Sequence, residues 1–296
     1  MTTIRPRRSV LYMPGSNARA LEKAQTLPAD AIIFDLEDAV APDMKAVARA
    51  QVCEAVASGD YGNRELVIRI NAVSTEWGDA DLDAAIEAGP DAILVPKPDR
   101  GADVDLVSGR IDAAGRGIPI WAMIETPLSI LNIQDIAACA GHGSSPLTAL
   151  VMGTNDLAKE TRARFVEGRA TMLPWLTTAI LAARAYGLDV IDGVYNDFRD
   201  IGGLREECEQ ARDLGMDGKT LIHPGQIEAA NEVFAPNSDE LEQARTIIDA
   251  FSLEENAGKG AISLNGRMVE RLHAEMAIRM VALSDAIKIG AERNKV

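Results

Sequence analysis

Eight short runs of β-branched and aliphatic residues, at 9–12, 31–36, 66–70, 92–95, 119–124, 149–152, 189–191 and 218–222, alternate with stretches of helix-like apolar spacing. Helical spacing is plainest at 18–27, 44–57, 81–88, 129–138, 177–186 and 203–214. Strands separated by helices cannot be joined as hairpins, so they pair in parallel. Runs such as Ala31-Ile32-Ile33-Phe34 and Ala92-Ile93-Leu94-Val95 lack polar alternation, which predicts a sheet covered on both faces. Eight βα units in about 230 residues predict an α/β fold of the (β/α)8 TIM barrel type. The rival, an open doubly wound sheet, calls for G-x-G-x-x-G at its first turn. Gly15-Ser16-Asn17 does not supply it.

The pattern changes after Pro236, dividing the chain into a barrel domain over 1–235 and a helical extension or lid over 236–296. Ser238-Asp239-Glu240 opens an amphipathic helix through Phe251, and helical spacing resumes over 268–289. Between them Gly258, Gly260 and Gly266 either hinge a lid or mark turns.

Charge narrows the partners. Thirty Lys plus Arg against 45 Asp plus Glu give a net charge of −15, which repels polyanions and argues against nucleic acid. A local basic pocket still admits small anions. No apolar stretch approaches the roughly 20 residues of a membrane span. Residues 1–8 lack the apolar core of a secretory signal, and the three scattered cysteines, Cys53, Cys139 and Cys208, read as reduced packing residues. A cytoplasmic protein is expected.

In a barrel of this kind chemistry sits at the carboxyl ends of the strands. There the sequence places Asp35, Glu37 and Asp38, then Arg69 and Asn71, Lys97, Glu125, Asp156, Asp192 and His223. Glu125 and Asp156 lie one βα unit apart, at the mouths of adjacent strands; they either hold a hard divalent cation or cap helices. Arg69, amid apolar neighbours, needs an anion: a structural acid such as Glu37, or a substrate carboxylate. Lys97 poses the same choice. Asp35 and Glu37 share one strand face and read either as metal ligands or, with Arg69 and Lys97 close by, as groups that position these cations and tune the metal site. His223 reads as a structural strand-end residue, and His142 and His273 carry no signal.

Together, Arg8-Ser9-x-Leu11-Tyr12-x-Pro14-Gly15, Asp35-Leu36-Glu37-Asp38-Ala39-Val40, Arg69-Ile70-Asn71, Pro96-Lys97, Ile124-Glu125-Thr126, Gly153-Thr154-Asn155-Asp156-Leu157 and Gly215-x-x-Gly218-Lys219-x-x-Ile222-His223-Pro224 resemble the citrate lyase beta subunit-like (HpcH/HpaI aldolase/citrate lyase) family. Its members include malyl-CoA lyases, citramalyl-CoA lyases and malyl-CoA thioesterases. The resemblance implies a barrel with a carboxyl-terminal extension, assembled as homotrimers or hexamers. It implies that Glu125 and Asp156 bind Mg²⁺, with Mn²⁺ the alternative, and that Arg69 binds the carboxylate of a 2-oxo acid. Glu37, Asp38 and Lys97 then support the metal and Arg69 from behind. It further implies CoA contacts at Tyr12 and Lys23. Where some relatives carry arginine, this chain has Asn17, with Arg19 the nearest substitute. Relatives supply a catalytic aspartate from an adjacent subunit within Gly-Lys-Met-x-Asp; here Gly266-Arg267-Met268-Val269-Glu270 offers Glu270.

The expected activity is therefore a Mg²⁺-dependent acyl-CoA lyase that cleaves or forms a malyl-CoA, β-methylmalyl-CoA or citramalyl-CoA. The alternatives are (3S)-malyl-CoA thioester hydrolysis, a CoA-independent aldolase, or a non-autonomous citrate lyase-type subunit or metabolite-binding protein.

Overall fold

The computed structural model describes residues 4–293. Strands β1 (Ser9–Pro14), β2 (Ala31–Asp35), β3 (Glu65–Arg69), β4 (Ala92–Val95), β5 (Ile120–Ile124), β6 (Leu147–Met152), β7 (Asp189–Asp192) and β8 (Gly218–Leu221) close into a barrel in chain order. Every neighbouring pair is parallel, and β1 completes the ring against β8. The architecture is the expected (β/α)8 barrel.

Alternate residues of β1 to β7 feed two separate cores. Val10, Ile33, Val67, Leu94, Trp121, Met123, Val151 and Ile191 fill the barrel interior. Their strand neighbours, such as Ile32, Phe34, Ile68 and Leu150, pack outward against the helices. Both faces being apolar, the strands appear in sequence as unbroken aliphatic runs. At the amino-terminal end of the barrel, Arg7 lies over the buried Trp121 ring at 4.9 Å. It is neutralised by Glu65 at 2.7 Å and Asp189 at 2.6 Å.

The outer layer departs from the sequence reading in two places. Residues 129–138 are not one helix but the end of Pro127–Leu131 and the whole of Ile133–Ala138, broken at Asn132, where ψ turns to 15°. The helix Gly101–Ala113 went unread because its buried apolar residues, Val104, Val107 and Ile111, are diluted by Asp, Gly and Ser.

Residues 7–234 form one compact unit; residues from 235 onward, with those before Arg7, form another. In the second unit the helix Ser238–Ser252 is capped by Asn237, which accepts from Glu240 N while Glu240 returns a bond to Asn237 N. It packs against the helix Arg271–Arg293. Between them the expected helical start at 268–270 is corrected: β9 (Ala261–Leu264) and β10 (Arg267–Glu270) form an antiparallel hairpin. The cause is Asn265-Gly266, both at positive φ (51° and 76°), a two-residue turn that pairs Leu264 with Arg267.

Candidate active site

A cavity of about 300 Å³ opens at the carboxyl ends of the strands, lined among others by Tyr12, Asp35, Asp38, Arg69, Met123, Glu125, Gly153, Asp156, Val194 and Thr220. Strand register explains the first contact in it. Asp35 ends β2 opposite Arg69 at the end of β3. The two form a bidentate pair, Arg69 Nε to Asp35 Oδ1 at 2.7 Å and Nη2 to Oδ2 at 2.5 Å. The acid that neutralises Arg69 is thus Asp35 in the first place, with Glu37 second at 2.8 Å and Asp38 at 3.1 Å. The Tyr12 ring supports the guanidinium from 5.1 Å. Burial raises the Tyr12 phenol far above its ordinary pKa, against the pull of Arg69, so it stays protonated.

Lys97 follows β4 between two prolines with φ at +51°, a left-handed backbone that a non-glycine residue adopts only under constraint. That backbone aims its N–H at Glu125 Oε1, 3.0 Å away. Its ammonium reaches Glu37 at 2.7 Å and Glu125 at 3.4 Å. Burial acts to lower the Lys97 pKa, but Glu125 and Glu37 outweigh it and hold the ammonium charged. An imine-forming lysine needs the opposite.

Glu125, 1% exposed, follows β5. Burial, and then the charge of Glu37, push its carboxyl up to about 8. Glu37 is raised for the same first reason. Its Oε2 is buried beside Arg69 but out of line with the N–H bonds, and accepts no hydrogen bond. Room for Glu125 comes from Gly153: a Cβ there would overlap Glu125 Cβ and stand 2.8 Å from its Oε2. Asp156 lies in the first turn of the helix Thr154–Thr161 and lines the same cavity. Five carboxylates, Asp35, Glu37, Asp38, Glu125 and Asp156, thus gather around two cations, Arg69 and Lys97. An all-oxygen donor set with surplus negative charge fits a hard divalent cation.

The sequence reading missed Lys45. It is 6% exposed, and its Nζ donates to Leu36 O at 2.8 Å, Glu37 O at 2.7 Å and Asn71 Oδ1 at 2.8 Å, fixing the loop that carries Glu37 and Asp38. Nothing in the spacing of a helical lysine announces such a contact.

Other expected residues lie apart. Arg19 and Lys23 are exposed on the helix Ala18–Ala24, one turn from each other. Asn17 caps that helix by accepting from Ala20 N at 3.1 Å. Glu270 ends β10 in the second unit. His223 is structural as expected, accepting from Gly225 N at 3.0 Å and stacking on Phe198 at 4.9 Å.

Among known proteins, the chain is 51% identical over 282 residues to a (3S)-malyl-CoA thioesterase of Cereibacter sphaeroides, covering 95% of this chain and 96% of that one. It is 37% identical over 275 residues to citrate lyase subunit beta of Escherichia coli, covering 90% and 89%. Among solved structures, the protein CitE of Mycobacterium tuberculosis, in complex with magnesium, acetoacetate and coenzyme A, superposes with a TM-score of 0.76 at 28% identity, covering 94% of this chain and 97% of that one. The model of one family, HpcH/HpaI aldolase/citrate lyase, matches residues 8–224, which takes in every strand of the barrel and each charged group around its mouth. By fold and by sequence, the chain belongs to the HpcH/HpaI aldolase/citrate lyase family.

Proposed function

We propose that this protein is a Mg²⁺-dependent enzyme that holds a malyl-type β-hydroxyacyl-CoA at the barrel mouth and hydrolyses its thioester. The observation that carries this reading is the 51% identity along 95% of the chain to (3S)-malyl-CoA thioesterase, against 37% to citrate lyase subunit beta. The cavity chemistry supports the same substrate class, since it offers oxygen donors for a hard ion beside a guanidinium for a carboxylate.

Glu125 and Asp156 are the residues that would hold the ion. When bound, Mg²⁺ supplies Lewis-acid polarisation and a template for substrate oxygens. Arg69, fixed along one edge by Asp35 and paired through Nη1 with Glu37 and Asp38, lines the mouth and grips the substrate carboxylate. Lys97 holds Glu125 in place through its backbone N–H and balances Glu37 through its ammonium. Arg19 and Lys23 present two exposed cations on one helix face, suited to the phosphates of CoA. Glu270, delivered from a neighbouring copy in a homotrimer or hexamer, takes a proton from the attacking water. The water oxygen then bonds to the thioester carbon, the carbon–sulfur bond breaks, and the CoA thiolate leaves and is protonated. Among the described residues no helix is long and apolar enough to cross a membrane, in keeping with substrates taken from solution.

Carbon–carbon cleavage is the second reading, favoured by the pairing of a metal-type carboxylate set with Arg69, which suits a 2-oxo acid product. The test is product analysis. Pure protein with Mg²⁺ and malyl-CoA is expected to yield malate and free CoA, whereas acetyl-CoA and glyoxylate would replace the first reading by the second. Turnover undiminished after exhaustive chelation would end both.

A further inference from the structure

We propose that Asp105, Cys139 and His142 form a second metal site on the outer layer of the barrel, one that takes a borderline transition ion such as Zn²⁺ rather than Mg²⁺. Among the described residues these three donors stand out: one ligand atom from each lies within 4.8 Å of the others. His142, which carries no signal in the sequence, places Nδ1 2.9 Å from Asp105 Oδ1. Cys139 is buried beneath them; its thiol makes long contacts to Gly101 O at 3.5 Å and Asp135 O at 3.8 Å and also interacts with the Asp105 carboxylate. None of the three lines the cavity at the mouth.

Tetrahedral zinc, with bonds of about 2.0–2.3 Å to nitrogen, oxygen and sulfur, separates its ligand atoms by about 3.5 Å. The present spacing closes to that by side-chain rotation, because Asp105 and His142 are half exposed (47% and 53%) and free to swing towards the fixed sulfur. The loop bearing His142 is already held on the same helix as Asp105. About two turns further along, Asp112 accepts from Ser144 Oγ at 2.7 Å and Ser145 Oγ at 2.6 Å. A fourth coordination position faces solvent, for water. Sulfur, imidazole and one carboxylate select a softer ion than the all-oxygen mouth does, so the two sites sort metals by donor type. Burial, then Asp105, push the Cys139 thiol up to about 12, which sets it apart from an activated nucleophile. Bound metal would clip the helix Gly101–Ala113 to the segment that follows Ile133–Ala138.

The test uses reduced full-length protein saturated with Mg²⁺ and titrated with Co²⁺. Thiolate bound to Co²⁺ gives a near-ultraviolet charge-transfer band, and the mouth holds no cysteine to produce one. One equivalent per chain is expected, displaced by Zn²⁺. Cys139→Ser should abolish the band, and His142→Ala should weaken Co²⁺ binding about tenfold or more, with turnover of a CoA thioester unchanged in both. Absence of the band, or its survival in Cys139→Ser, overturns the site. Unchanged affinity in His142→Ala, a surface variant that does not threaten folding, overturns it as well.

Discussion

Glu125 is held ready to be charged in a place that resists charge. Its carboxyl titrates near 8 because burial, and then Glu37, oppose ionisation more than Lys97 and Arg69 favour it. Below that pH an incoming ion must displace a proton. Mg²⁺ affinity is therefore expected to rise roughly tenfold per pH unit from 6 towards 8 and to level off above it; calorimetric titrations at four pH values would show this, and a flat profile would contradict it. The same shift fixes a sign for stability. A carboxyl whose folded pKa exceeds its unfolded value, about 4.3, stabilises the fold below that value and loses this contribution as pH rises through 8. Glu125→Gln should consequently melt higher than the parent in metal-free buffer at pH 8 while losing metal-dependent turnover. Gly153 permits the arrangement, since any Cβ collides with Glu125. Gly153→Ala is expected to fold, to push Glu125 off its place, and to lower Mg²⁺ affinity at least about tenfold, since a displacement near 1 Å is enough to disrupt such a site.

Elements differed in how openly the sequence declared them. Strands were plain because burial on both faces leaves no polar residue to blur an aliphatic run, and the strand-end rule then picked out Glu125, Asp156, Arg69 and Lys97. The partner of Arg69 was harder. Asp35 faces it only because β2 and β3 pair in that register, which is a tertiary fact. Lys45 reaches the site from a helix, by a contact that no spacing encodes. The hairpin β9–β10 was legible but overlooked, because Asn265-Gly266 is a strong turn signal set between segments whose alternation is weak. Its geometry yields a prediction. Gly266→Val puts a β-branched residue at φ +76°, a conformation it avoids, and should open the turn at a cost of about 1–3 kcal/mol. Because β10 carries Glu270, turnover should fall to the level of Glu270→Ala while Mg²⁺ affinity stays intact. Full turnover in Gly266→Val would detach Glu270 from the reaction.

For the molecule as a whole, closure of the barrel depends on charges that face away from the chemistry. Lys219 on β8, fully buried, donates to Asp192 on β7 at 2.7 Å and to Glu207 at 2.9 Å. Arg169, at φ +54°, pairs with the same Asp192 at 2.8 Å. Thr220 Oγ1, beside the cavity, donates to Asp192 O at 2.9 Å, so this outer network also steadies the wall of the mouth. Burial acts to raise the Asp192 pKa, but Lys219 and Arg169 together outweigh it and hold the carboxyl below the ordinary range. A carboxylate depressed in the folded state stabilises the protein above its unfolded pKa, about 3.9, and loses that contribution as pH falls through the folded value. Asp192→Asn leaves Lys219 and Arg169 facing Glu207 alone, with one buried positive charge uncompensated. Breaking a buried pair in this way costs about 3–5 kcal/mol, which for a chain of this size lowers the melting temperature by roughly 5–8 °C. The deficit should be full at pH 7 and shrink as pH falls below about 3.9, where the unfolded parent begins to protonate Asp192, vanishing only below its depressed folded value. Adding Lys219→Met to Asp192→Asn restores charge balance and should recover part of the loss. Melting curves of parent, single and double variants between pH 3 and pH 8 test the idea, and a single variant as stable as the parent at neutral pH would show that β7 and β8 are held by packing alone.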